Sequence, residues 1–165
     1  MRDLSRRAAG VNPHDALVEI EQIKTLKARY CRLLDTKDWA AWRDLFTDDF
    51  VSDTSPSGGK RIAGGDDFVA FVSKVLKPSR TTVHMVHTPE IEIVSQTNAT
   101  GIWALEDFVR FAPGVKVRGY GHYTETYRKT DDSWRIATST LTRVRQDLML
   151  PLITFQIPDR LTRRS

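Results

Sequence analysis

The sequence contains a single cysteine, Cys31, which excludes an internal disulfide. No apolar run approaches the roughly 18 residues that a helix needs to span a bilayer. The arginine-containing start, residues 1–7, is followed by Ala8, Ala9 and Gly10 rather than by an apolar stretch of signal-peptide length. These absences predict a cytoplasmic protein without a membrane partner.

Signature motifs of several protein classes are also missing. The chain has no zinc-finger spacing, no Gly-Lys-Ser/Thr phosphate loop, no aromatic RNA-binding signature, no glycine-rich dinucleotide loop and no Gly-x-Ser-x-Gly elbow. The formal net charge is +4, but six arginines lie near the two ends of the chain: Arg2, Arg6, Arg7, Arg160, Arg163 and Arg164. Because basic tails are commonly just solvated, we expect no nucleic-acid partner.

The first periodic stretch predicts a helix that runs to about Leu34. Asn12 suits the N-cap of this helix, and Pro13 suits its first position. Apolar residues then recur at spacings of three and four, which indicates one buried stripe: Leu17, Ile20, Ile23, Leu26, Tyr30 and Leu33. Since Tyr30 lies on that stripe, its hydroxyl needs a hydrogen-bonding partner or a ligand.

Two further helices and a series of strands follow. Asp38 is expected to cap a short helix, and Asp66 a longer one that ends at Pro78. The short helix would turn four large side chains inward: Trp39, Trp42, Leu45 and Phe46. A short strand is expected at 50–53, with a return at 60–62. From Thr81 onward the apolar period becomes two, which predicts strands at 81–86, 90–95, 99–111, 115–127 and 133–145.

Helices first and strands last predict an α+β fold, with helices packed on one face of an antiparallel, strongly curved sheet. The length of 165 residues suits one domain. We predict a flexible N-terminal tail at 1–11, a domain at 12–150 and a C-terminal tail at 151–165.

The predicted strand 81–86 contains one ionisable side chain, His84. Strand alternation places it on the same face as Thr82 and Val86. An imidazole titrates near neutrality, so His84 suits a general base; a hydrogen-bonded core histidine is the alternative. The stretch is expected to turn at Pro89. His84 and His87 would face opposite sides, which argues against a shared metal.

Two charged residues lie on strand faces that are otherwise mostly apolar. Asp107 shares a face with Trp103 and Leu105, and Arg143 shares one with Leu141. A buried carboxylate is costly unless it is paired, so we predict that Asp107 and Arg143 pair. A structural ion pair and an active site would both explain this placement, and the pattern leaves both open.

Asp35 follows Tyr30 by five residues, which is about 140° around an ideal helix. The two side chains can therefore share a cavity only if the helix ends near Asp35. Otherwise Asp35 simply belongs to the loop before Asp38. His122 is expected to be half exposed, and Cys31 has no evident activating partner.

Several stretches together resemble a known family. Residues 20–39, IEQIKTLKARYCRLLDTKDW, resemble the first helices of the SnoaL-like branch of the nuclear transport factor 2-like superfamily. Residues 84–91, HMVHTPEI, followed by 99–107, ATGIWALED, are similar to the bile-acid 7α-dehydratases. The resemblance covers about residues 15–147. It departs at 52–59 and at 140–142, and these departures bear on the substrate.

The resemblance implies a cone: a curved mixed sheet around a pocket, closed by N-terminal helices. It also implies five functional residues, namely Tyr30, Asp35, His84, Asp107 and Arg143. In the implied reaction His84 abstracts a proton, Asp35 orients the imidazole and Tyr30 donates a hydrogen bond. Asp107 and Arg143 would maintain the charge pattern of the pocket. The chemistry requires no metal and no redox cofactor.

The expected reaction is loss of water from a hydroxylated, steroid-like 3-oxo-4-ene substrate. One alternative is a related lyase, isomerase or cyclase acting on another hydrophobic polycyclic or polyketide substrate. Another is a non-catalytic small-molecule-binding module, because the fold alone does not determine function. The resemblance further implies a homotrimer or homodimer.

Overall fold

The computed structural model describes residues 12–157, and it confirms the α+β class. Three helices and one 3-10 turn (Ser55–Ser57) accompany a curved, unclosed mixed sheet. The helices are α1 (Pro13–Thr36), α2 (Trp39–Arg43) and α3 (Gly65–Val75). The strands are β1 (Phe46–Asp53), β2 (Arg61–Ala63), β3 (Thr81–Ile93), β4 (Asn98–Ala112), β5 (Val115–Thr130), β6 (Ser133–Leu150) and β7 (Ile153–Ile157).

Helix α1 begins and ends close to the predicted positions. The Asn12 side chain accepts a hydrogen bond from the His14 amide, and Lys37 ends the helix in the left-handed conformation, with φ 63°. The predicted buried stripe is wrong at its first member, because Leu17 is 64% exposed. Leu17 lies in an open groove beside Trp134, and full burial begins only at Ile23.

Three predicted boundaries are wrong. Phe46 does not belong to the short helix, because it starts β1 and pairs with Ile136 of β6. Gly64, with φ 94°, caps α3, while Asp66 lies in its first turn and accepts a hydrogen bond from Arg43. At Pro89 there is no turn between two strands. Instead β3 continues through it, with an irregular register between His87 and Glu90.

The sheet has the strand order β2-β1-β6-β5-β4-β3. Only the β1–β6 pairing is parallel among the described strands, so the sheet is mixed, as the resemblance implied, and not purely antiparallel, as the strand pattern indicated. Strand β7 pairs with the end of β6, inside the segment predicted as a C-terminal tail. The predicted N-terminal tail, 1–11, and residues 158–165 lie outside the described residues.

The core lies between the helices and the inner face of the sheet. It includes an aromatic cluster with neighbouring ring centroids 4.4–5.4 Å apart: Trp42, Phe46, Phe50 and Phe68. Alternate residues of β3 to β6 point to this face, as strand geometry requires. Within residues 12–157 no helix is long and apolar enough to cross a membrane. The expected oligomer and cellular location stay predictions.

Candidate active site

The end of α1 brings Asp35 against the first half of β3. Asp35 Oδ1 lies 2.7 Å from His84 Nδ1, and Oδ2 accepts a hydrogen bond of 2.8 Å from the His84 backbone amide. A carboxylate can only accept, so His84 Nδ1 carries the proton in this pair. The second ring nitrogen, Nε2, is then left with a lone pair, as a general base requires.

Two neighbouring side chains fix the carboxylate. The Thr82 hydroxyl donates a hydrogen bond of 2.8 Å to Asp35 Oδ1, and the Lys37 ammonium donates in turn to Thr82 Oγ1 and to the Leu34 carbonyl. Burial lowers the pKa of Lys37, whereas the charge of Asp35 acts in the opposite direction. Asp35 is therefore held by backbone and side chains together, and it orients the His84 ring.

A second pair of charges lies on the neighbouring strands. Arg143 donates from Nη1 to Asp107 Oδ2 over 2.5 Å, which confirms the predicted pairing. Gly119 lies directly opposite Asp107 on β5, and a Cβ atom at this position would overlap the Arg143 guanidinium. The absence of a side chain at position 119 therefore makes room for the pair on the inner face. Arg143 keeps further N–H donors for a ligand.

These elements surround a cavity of about 180 Å³, here called the inner cavity. Half of its lining is apolar: Leu34, Trp42, Ile62, Phe68, Phe71, Val72, Leu76, Val109 and Leu141. The rest is polar: Tyr30, Ser52, Thr54, Lys60, His84, Asp107, Tyr123, Ser139 and Arg143. Burial raises the pKa of Tyr30 well above its usual range, so its phenol stays protonated and can donate a hydrogen bond.

The structure brings the predicted site residues into one region. Tyr30, His84, Asp107 and Arg143 line the inner cavity, and Asp35 contacts His84 directly. Tyr30 and Asp35 could share a cavity only if the helix ended near Asp35, and this condition is met, because α1 ends one residue after Asp35. Their chemical roles stay predictions.

The other residues that the sequence singled out do not line the inner cavity. His87 and His122 are exposed, on the opposite face of the sheet. Burial raises the pKa of the Cys31 thiol to about 11, which disfavours a reactive thiolate. Among residues 12–157, no cluster of three or more His, Cys, Asp or Glu side chains could hold a metal ion.

One group of buried polar residues was not predicted from the sequence. Lys27 and Glu125 are both fully buried and form a 2.6 Å ion pair. Glu125 also accepts hydrogen bonds from Ser139 and Tyr127, and Tyr127 accepts one from Trp103. Two patterns could have revealed this group: Lys27 lies between Leu26 and Tyr30 on the buried stripe of α1, and Glu125 shares the inner face of β5 with Tyr123 and Tyr127.

The arrangement is suited to proton transfer in a partly apolar enclosure. It offers an oriented imidazole with one free nitrogen, a neutral phenol and a guanidinium that faces the same space. A convergence of titratable groups on one cavity is typical of active sites.

Comparisons with known proteins place the chain in a family. Residues 15–140 match the SnoaL-like domain. A candidate cyclase of Gibberella zeae is 26% identical over 146 residues, which cover 81% of this chain and 94% of that protein.

The solved structures that share the fold include a dehydratase-like protein and a dehydrochlorinase. A candidate scytalone dehydratase from Novosphingobium aromaticivorans has a TM-score of 0.77 and 21% identity, over 93% of this chain and all of that one. A hexachlorocyclohexane dehydrochlorinase from Novosphingobium barchaimii has a TM-score of 0.74 and 19% identity, over 89% of this chain and 100% of that one. From the match over residues 15–140, this chain belongs to the SnoaL-like domain family.

Proposed function

We propose that the protein is a lyase that removes water from a small, mostly apolar hydroxy ketone in the inner cavity. The observation that carries the proposal is the His84–Asp35 pair at the wall of this cavity. Asp35 holds Nδ1 at 2.7 Å, and the free nitrogen belongs to a side chain that lines an enclosure rich in apolar residues. Elimination next to a ketone needs a base of this kind and no more than hydrogen-bond donors besides it.

The reaction would proceed in two steps. His84 Nε2 takes the proton from the carbon next to the ketone, and the electron pair moves to the ketone oxygen as an enolate. When the enolate collapses, the carbon–carbon double bond forms and the carbon–hydroxyl bond breaks. The His84 imidazolium returns its proton to the departing hydroxyl, which leaves as water. The hydroxy ketone thus becomes an enone plus water.

The other polar side chains would serve as donors. Tyr30 stays neutral because burial raises its pKa, so it can donate to the enolate oxygen or to the leaving hydroxyl. Arg143 is held by Asp107 through one nitrogen and can direct its remaining N–H groups to the same oxygen. In this role Asp107 is a positioning residue for Arg143.

The cavity volume bears on the size of the substrate. About 180 Å³ is less than the roughly 300–1,000 Å³ of typical ligand pockets. A bicyclic hydroxy ketone therefore suits the enclosed space better than a four-ring steroid, which would have to extend through the mouth. The names of the related proteins, a cyclase, a dehydratase and a dehydrochlorinase, agree with lyase or isomerase chemistry. The steroid stays a prediction to be tested beside the smaller substrate.

The test is a dehydration assay followed by absorbance. Purified protein is mixed either with a bicyclic β-hydroxy ketone or with a 7α-hydroxy-3-oxo-4-ene steroid, and the longer-wavelength band of the conjugated product is recorded. In deuterium oxide, exchange at the acidic carbon is followed by NMR. We expect product from the bicyclic substrate, and loss of both product and exchange in His84→Ala.

His87→Ala is the matched control, because His87 lies on the same strand and is exposed on the opposite face. This variant should retain full activity. Exchange that persists in His84→Ala would show that His84 is not the base. Ligand binding without product or exchange from either substrate would favour the non-catalytic binding module.

A further inference from the structure

Beneath the inner cavity lies an ion pair that the proposed reaction does not use. The Lys27 ammonium and the Glu125 carboxylate are 2.6 Å apart, and both side chains are 0% exposed. Lys27 reaches this position from the middle of α1, and Glu125 from the inner face of β5. Lysine and glutamate are seldom fully buried, so their presence here needs an explanation.

Stability alone is a poor explanation for the pair. Desolvation of two charges offsets much of their attraction, and apolar replacements of buried ion pairs are often neutral or stabilising. The surroundings of this pair already contain large apolar side chains, among them Ile23 and Trp103. A core packed only with apolar residues would therefore serve the fold at least as well.

The contacts of the pair point to the cavity. The Lys27 ammonium lies 4.1 Å from the ring centroid of Tyr30 and 3.9 Å from that of Tyr123. Cation–π attraction of this kind is strongest where the cation is desolvated. On the other side, the Ser139 hydroxyl donates to Glu125 Oε1 over 3.0 Å. Tyr30, Tyr123 and Ser139 all line the inner cavity.

We propose that Lys27 and Glu125 are positioning residues that fix the orientation of Tyr30, Tyr123 and Ser139 at the base of the inner cavity. A cation between two rings limits how far either ring can tilt, and the carboxylate that holds the cation also holds the serine. This inference rests on the proposed function, because it gives the two tyrosines and the serine a place in substrate binding.

The test replaces both charges together. The single change Lys27→Met would leave a buried carboxylate without its partner, so K27M/E125Q is the variant of choice. The matched control is K129M/E19Q. Lys129 and Glu19 also form a 2.7 Å pair, and Glu19 also accepts from an aromatic residue, Trp134, but neither lines the inner cavity.

Three measurements are made on the wild type and on both double variants. Thermal unfolding reports folding, and steady-state kinetics separate kcat from KM. The third is fluorine NMR of protein labelled with 3-fluorotyrosine. The chain has four tyrosines, and the signals of Tyr30 and Tyr123 are assigned from their Phe variants.

We expect K27M/E125Q to fold, with the Tyr30 and Tyr123 signals split or broadened by several ring orientations. Its kcat should fall about 10- to 100-fold with a much smaller change in KM, as expected when a group acting in the transition state is misplaced. The control K129M/E19Q should keep single signals and its kcat.

Single, sharp signals in a folded K27M/E125Q would overturn the proposal, as would a kcat equal to that of the wild type. The fluorine signals do not depend on turnover. If the wild type converts neither substrate, split signals would therefore still support the positioning role, although the proposed function would fail.

Discussion

Two of the ion pairs at the inner cavity differ in the capacity that they leave for a ligand: Asp35–His84 at its wall and Lys27–Glu125 beneath it. In the Asp35–His84 pair, Asp35 uses both carboxylate oxygens but the imidazole keeps one nitrogen free, and the side chains are 22% and 9% exposed. In the Lys27–Glu125 pair both side chains are 0% exposed, and both carboxylate oxygens accept hydrogen bonds from buried groups. The first pair keeps a ring nitrogen free at the cavity wall, whereas the second pair is sealed from solvent and does not line the cavity.

This difference distinguishes a pair that can act on a substrate from a pair that positions its neighbours. A group that acts on a substrate needs a free lone pair or proton, and it needs access to the cavity. A group that only holds its neighbours can be saturated and sealed. We therefore expect damage to Asp35–His84 to abolish turnover in a folded protein, and loss of one member of Lys27–Glu125 to act first on stability.

The largest effect is expected from Asp35→Asn. The amide can donate to His84 Nδ1, so the ring proton would move to Nε2 and the base would lose its lone pair. In a serine-protease triad such a tautomer change lowers kcat about 10⁴-fold, and we expect a loss of about 10³- to 10⁴-fold here. Turnover is measured together with nitrogen NMR of the imidazole, which reports the tautomer directly.

Asp38→Asn is the control for this substitution. Asp38 lies three residues further along the chain and caps α2, a position that asparagine also fills well. The activity of the Asp38→Asn variant should equal that of the wild type. An Asp35→Asn variant that turns over normally, with the proton still on Nδ1, would contradict the assigned role of Asp35.

The next effect is expected from Lys27→Met. Removing one partner of a buried pair leaves an uncompensated charge, and such changes cost about 3–5 kcal/mol. The free energy of unfolding, measured by urea denaturation, should fall by this amount. Adding Glu125→Gln should restore most of it, because the buried charge is then gone. If Lys27→Met is as stable as the wild type, Glu125 is not sealed from water, and the two pairs do not differ in burial as described.

The sequence predicted the first pair better than the second. His84 is the one ionisable residue in the predicted strand 81–86, and the family resemblance implied Asp35 as the residue that orients it. Lys27 and Glu125 lie 98 positions apart in the chain, and although each shares a buried face with apolar or aromatic residues, the pattern does not show that the two are partners. Only the packing of α1 against the inner face of the sheet brings them together, and periodicity along the chain does not reveal a contact between residues so far apart.

Tertiary contacts also explain why some of the predicted element boundaries are wrong. Phe46 has the spacing of a helical residue after Trp42, but pairing with β6 draws it into a strand. Proline usually interrupts a strand, yet β3 continues through Pro89, next to Thr88, which has φ 35°. The apolar pattern therefore predicted which side chains are inside more reliably than it predicted where each element ends.

A smaller effect is expected from Gly119→Ala, which tests the Asp107–Arg143 pair. The added methyl group would overlap the Arg143 guanidinium and lie 2.8 Å from Asp107 Oδ1. Overpacking of this kind costs about 1–3 kcal/mol, so the free energy of unfolding should fall by that amount. KM should rise as well, because Arg143 is displaced from the cavity wall. Unchanged stability and KM would show that Arg143 has room to move.

The smallest effect is the contribution of one tyrosine, Tyr30, to the dependence of stability on alkaline pH, and it tests whether the base of the cavity is sealed. Burial raises the pKa of Tyr30, Tyr123 and Tyr127 in the folded protein, and to a lesser degree that of Cys31, to about 11. Unfolding returns each phenol to a pKa of about 10. The folded state therefore holds more protons than the unfolded state above pH 10, and its stability decreases as pH rises through that range.

Each such tyrosine contributes up to about 1.4 kcal/mol per pH unit to this decrease. Below about pH 9 both states keep the phenols protonated, so stability should not change on their account. Urea unfolding at a series of pH values from 8 to about 11 measures the slope. Tyr30→Phe removes one titrating group, so its slope should be shallower by the contribution of one tyrosine. An identical slope in this variant would mean that the phenol of Tyr30 reaches water in the folded protein, and the base of the cavity would then be as open as the wall that holds His84.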